Sequence, residues 1–215
     1  LVGSVSEGVP FVHRSVDVDD KAGDVLVKVV DNSVAAFLEY RNAAAPKALE
    51  AAAQAILQTW RQHQRIVFFG AGNSGMVADD AQHKFFRLGL TSMSCSDGHV
   101  QLMNAALLRR GDCAVVISNS GLTRDLIAAA ELARQAGATT IAITASNSPL
   151  AKACAIHLAA DHPEGYDLYS PMVSRLLHLL IIDVLATWVA LQIGPSVQQN
   201  SKIIKQLLRS KRYEQ

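Results

Sequence analysis

Two short stretches concentrate groups that can hold an anion. Residues 70–75 read GAGNSG and residues 118–123 read SNSGLT. Each follows an apolar run and precedes an amphipathic one, the pattern of a strand turning into a helix. The free N–H groups and the dipole at a helix start favour negative charge. The hydroxyls of Ser74, Ser118, Ser120 and Thr123 add donors without the bulk of a lysine, and Gly121 lets the backbone come close. Such loops suit a phosphate. The competing reading is that Ser and Thr merely cap their helices, a position they favour. Two such loops in one sheet make a joint anion site the better account. On it, Ser74→Ala and Ser118→Ala weaken ligand binding and leave the melting temperature of the free protein nearly unchanged.

The elements that must position these loops follow from the hydropathy pattern. Short apolar runs at 65–69, 90–95, 113–117, 140–144 and 155–159 read as five strands. They alternate with helical patterns at 74–88, 99–108, 123–135, a short one from about 149, and a long one at 171–192. Strands that are apolar throughout, separated by helices, indicate a parallel sheet covered on both faces. In such sheets ligands bind outside the carboxyl ends of the strands, where both loops lie. Two helices at 21–41 and 46–60 precede the sheet. A last helix at 196–209 follows the break at Gly194-Pro195.

The bulk numbers suit one domain with an aliphatic core. The chain has 215 residues, half of them hydrophobic and 6% aromatic, with a formal net charge of +1. That charge supplies no field for nucleic acid or an anionic membrane. The basic tail of Lys202, Lys205, Arg209 and Lys211 reads as a solvated helix face. Cys95, Cys113 and Cys154 are far apart and form no metal or redox spacing, so a reduced, cytoplasmic protein without cofactor or metal is expected. Residues 176–191 are nearly all apolar, yet they include His178 and Asp183, and a mid-membrane Asp is costly. A buried helix is expected, not a membrane span.

Two rival chemistries use the same residues. Gly70, Gly72 and Gly75 satisfy G-x-G-x-x-G, and Asp97 follows about 20 residues later, as in a dinucleotide site. That reading leaves the 118–123 loop without a role. A sugar-phosphate aldose–ketose isomerase would need a carboxylate or His base near the sugar carbons. Glu131 lies well inside its helix. Ser174 and His178 share a helix face, but the neighbours of His178 are aliphatic and it reads as a satisfied core histidine. Lys84 and Arg87 read as surface charges able to reach across a subunit boundary. No convincing acid/base pair emerges, and a non-enzymatic role is expected.

At these loops the chain resembles the SIS (sugar isomerase) domain, whose signature is G-x-G-x-S followed later by S-x-S-G-x-T. The resemblance spans roughly residues 45–190 and implies a flavodoxin-like, three-layer α/β/α sandwich around a five-stranded parallel sheet, with extra N- and C-terminal helices. GVPFVHR, HKFFRLGL, YSPMVSRLLHLLIIDVLAT and RSKRY are further similar to the effector domain of RpiR-family transcriptional regulators, in the branch controlling hexose catabolism. The resemblance implies a sensor of a phosphosugar, 2-keto-3-deoxy-6-phosphogluconate, held by Gly72, Asn73, Ser74, Ser118, Asn119, Ser120, Gly121 and Thr123. Arg175 is the cationic candidate for the carboxylate end. DNA contact in that family runs through an N-terminal helix-turn-helix domain. Residues 1–20 are expected to be the linker from such a domain, absent here, and residues 21–215 the SIS domain. The apolar faces of the first and last helices must pack on the sheet's helices or on a second copy, and a homodimer or tetramer is expected.

Overall fold

The structure, a computed structural model, describes residues 15–162, 173–209 and 211. Residues 1–14 of the expected linker and the expected helix start at 171–172 lie outside the described residues. The chain divides into two compact units, Leu1–Ala43 and Ala44–Gln215.

The first unit carries one long helix, α1 (Ala22–Ala43). Its start is held locally. The Asp24 carboxylate accepts the Lys21 N–H at 3.1 Å, and Lys28 Nζ meets Asp20 at 2.7 Å. Leu26, Val27 and Val30 are exposed along it.

The second unit runs α2 (Pro46–Arg61), β1 (Ile66–Gly70), α3 (Asn73–Arg87), β2 (Ser92–Cys95), α4 (Gly98–Ala106), β3 (Cys113–Ile117) and α5 (Arg124–Gln135). It continues through β4 (Thr139–Thr144), α6 (Pro149–Ala153), β5 (Ile156–Ala159), α7 (Val173–Ile193) and α8 (Pro195–Arg209). All five strands are parallel, in the order β2-β1-β3-β4-β5. This is the expected α/β class, with each strand within two residues of its expected bounds. The expected break at Gly194-Pro195 is present, and Pro195 is itself the first residue of α8. Gly194, at φ +80°, makes the turn.

The core follows from the two-residue period of the strands. Val67 and Phe69 of β1, with Ala114 and Val116 of β3, point to one face and pack with Leu126, Ala129, Ala130 and Ala133 of α5. The alanines let that helix lie close to the sheet. Phe68 points to the other face and meets Phe85 of α3, ring centroids 5.4 Å apart. The layers are therefore α2, α3 and α7 on one side and α4, α5 and α6 on the other.

α7 is long and apolar enough to cross a membrane by length and composition. In this fold it is a core helix. Leu177, Ile181, Leu185 and Val189 are fully buried, and Asp183 takes Lys84 Nζ of α3 at 2.7 Å. That bond holds the Lys84 ammonium above its ordinary pKa. Lys84 thus ties two helices of its own chain together, a partner its sequence neighbourhood did not suggest.

Candidate functional site

The chain steps from β1 outward to β2 and then back to β3 on the opposite side of β1. Open α/β sheets of this order bind ligands at that switch point, outside the carboxyl ends of the strands. β1 ends at Gly70 and β3 at Ile117. The two hydroxyl-bearing loops therefore leave adjacent strands and face one another.

Each loop needs its glycine. At Gly70 a Cβ would press into the Ser74 carbonyl, so only glycine permits the tight turn from β1 into α3. Gly121 has φ +65°, and a Cβ there would stand 2.6 Å from Thr144 Oγ1 and closer still to Ser148 Oγ. The second loop is thus seated directly on the end of β4. Within it, the Ser118 hydroxyl oxygen accepts the Gly121 N–H at 3.1 Å, and Ser120 Oγ accepts the Leu122 N–H at 3.3 Å. Thr123 stands at the N-cap of α5, yet its side chain makes no capping bond. The capping account of that hydroxyl is not met.

The loops enclose a cavity of about 180 Å³. Asn73 and Ser74 line it from the first loop, and Ser118, Asn119, Ser120 and Thr123 from the second. Gly72 and Gly121, expected as ligand residues, do not line it; both have positive φ and shape the loops instead. The N-termini of α3 and α5 open onto this wall. Arg175, half-buried on α7, lines the same cavity.

Beside it the cavity is lined by two residues not counted as ligands from the sequence, Ser174 and His178. His178 is 1% exposed, as expected of a core histidine, but it is not satisfied. Among the described residues its Nε2 has no hydrogen-bond partner. Burial, with the nearby charge of His162, pushes its pKa down from 6.5 to about 4. The imidazole is therefore neutral at ordinary pH.

The rival features have structural explanations. The Asp97 carboxylate accepts the Val100 N–H at 3.0 Å and caps α4, so it does not stand free for a ribose. Glu131 is exposed on α5. The three cysteines are buried, and burial raises Cys113 to about 12 and Cys154 to about 11, which keeps both as unreactive thiols.

The SIS domain family matches residues 60–188. The chain is 36% identical to the HTH-type transcriptional regulator HexR of Escherichia coli K12 over 214 residues, 100% of this chain and 73% of HexR. It is 42% identical over 192 residues, 89% of this chain, to the bifunctional protein glk of Burkholderia orbicola, but spans only 29% of that protein's length. The structure of the Vibrio vulnificus NanR protein complexed with ManNAc-6P superposes with a TM-score of 0.80 at 23% identity, covering 90% of this chain and 72% of NanR. The domain match and the identity with HexR along the whole of this chain together establish that the chain belongs to the SIS domain family, with HexR regulators of the RpiR family among its homologues.

Proposed function

We propose that this chain is the phosphosugar-sensing domain of a bacterial transcriptional regulator. The observation that carries the reading is one cavity with two unlike walls. Two helix N-termini with Ser74, Ser118, Ser120 and Thr123 line it from the loops, and Arg175 lines it from α7. The first wall suits a phosphate. The second suits an acid group, since guanidinium pairs with carboxylates. A molecule with a phosphate at one end and a carboxylate at the other fits both, and 2-keto-3-deoxy-6-phosphogluconate is the effector we assign. The bound NanR complex, which carries a sugar phosphate by its name, supports the ligand class.

In this reading residues 1–20 connect to a helix-turn-helix domain through which DNA is bound, and residues 21–215 form the effector domain. The protein works in the cytoplasm as a homodimer or a dimer of dimers. The exposed apolar residues Leu26, Val27 and Val30 of α1 and Ile203, Leu207 and Leu208 of α8 support such self-association. The effector shifts DNA binding through its differential affinity for two arrangements of the dimer.

One observation favours a second reading, that of a sugar-phosphate isomerase: an imidazole lines the cavity. A histidine with a pKa near 4 is a weak base at neutral pH, and no carboxylate joins it among the described lining residues. A thermal-shift panel with parallel turnover assays separates the two readings. A ligand at 100 times its Kd stabilises by about 2.7 kcal/mol. The sensor reading expects stabilisation by the phosphorylated keto acid without isomerised product. Turnover of any sugar phosphate would establish the isomerase instead.

A further inference from the structure

The loops account for a phosphate, but not for why a sugar should be preferred to phosphate itself. That selectivity must come from the α7 wall. There His178 stands one helical turn beyond Ser174, on the same face. It is buried to 1% exposure, lines the cavity, and has an Nε2 without a hydrogen-bond partner among the described residues. Buried polar atoms are normally paired. One that is buried, unpaired and on a cavity wall belongs with a ligand atom.

We infer that His178 is the specificity residue of the cavity: its imidazole hydrogen bonds an uncharged oxygen, a hydroxyl or a keto group, of the sugar portion of the ligand. This rests on the phosphosugar reading of the same cavity and extends it. A neutral imidazole offers one donor and one acceptor, which matches a hydroxyl or carbonyl and gives no advantage to a second phosphate. The depressed pKa of His178 keeps it in that form. Charge recognition is left to Arg175 and to the loops. The ligand class is therefore a phosphate ester of a polyhydroxylated chain, with an oxygen held against α7 while the phosphate sits between α3 and α5. A bare phosphate ion leaves Nε2 unpaired and binds weakly.

The test titrates the 215-residue chain and its His178→Phe and His178→Gln variants with two probes, 2-keto-3-deoxy-6-phosphogluconate and inorganic phosphate. Phenylalanine keeps the ring volume and removes the hydrogen bond; glutamine keeps a donor and an acceptor. Expected is a loss of about 10–100-fold in sugar-phosphate affinity for H178F. Phosphate affinity should stay within about threefold, and H178Q should recover part of the loss. Unchanged sugar-phosphate affinity in H178F, or equal losses for both probes, overturns the inference and leaves the phosphosugar reading standing. If the unsubstituted chain binds neither probe, the phosphosugar reading falls and this inference with it. Should H178F fail to fold, H178Q carries the comparison, with a smaller loss confined to the sugar phosphate as the expected result.

Discussion

The Ser118 hydroxyl oxygen accepts the Gly121 N–H at 3.1 Å across the buried neck of the second loop. This one bond gives Ser118 two tasks. Its oxygen closes the loop, and its remaining O–H proton is left to donate into the cavity that Ser118 lines.

Ser118→Ala should therefore lose both binding and some stability. The unliganded protein is expected to lose about 1 kcal/mol, a fall of about 2–4 °C in Tm for a chain of this size. Here the structure amends the expectation of an unchanged melting temperature. Ser74→Ala keeps that expectation, because Ser74 lines the cavity from the first turn of α3 and makes no comparable loop bond among the described residues. Paired melting and titration of the two variants checks the distinction.

Gly121→Ala should be far more damaging than its single methyl suggests. The positive φ strains any side chain there, and the new Cβ would collide with Ser148 and Thr144 beneath the loop. A loss of at least about 2 kcal/mol is expected, together with loss of effector binding as the loop lifts off β4. Urea unfolding measures the first and calorimetry the second.

Arg175→Met should separate the acid end of the ligand from its phosphate. Affinity for the carboxylate-bearing phosphosugar is expected to fall about 10–100-fold, the range for hydrogen bonds to charged groups. Affinity for glucose 6-phosphate, which has no carboxylate, should change little. Equal losses for both would mean that Arg175 serves the phosphate or the fold.

His178 predicts an acid sensitivity with a defined sign. Its pKa is about 4 in the folded chain and 6.5 ordinarily, so between those values the unfolded state binds more protons. Stability present above pH 6.5 is lost as pH falls and is fully lost below about 4. Between pH 7 and pH 5 the parent should lose about 2 kcal/mol more than His178→Phe. Urea melts of both proteins at the two pH values measure the difference directly.

The hydroxyl wall was legible in the sequence because its residues are local. Glycine and hydroxyls stood where apolar runs stopped, and both loops took up the expected strand-to-helix turns. The α7 wall was not legible. Arg175 is marked in the sequence only by its charge at the start of a long helix. His178 reads as a core residue because its neighbours along α7 are aliphatic. Those neighbours do describe its burial, but they cannot tell which atom lacks a partner. Lys84 illustrates the same limit, since Asp183 is brought to it only by the packing of α7 on α3. The order of the strands, which puts β1 beside β3 and so joins the two loops, likewise arises from tertiary packing, because nothing in a strand names its neighbour.

The most direct test of the central claim is calorimetric titration of the chain with 2-keto-3-deoxy-6-phosphogluconate beside its unphosphorylated analogue. Micromolar binding that requires the phosphate and is lost in Ser118→Ala is expected. Equal binding of both compounds would contradict it, because the two loops would then hold no phosphate.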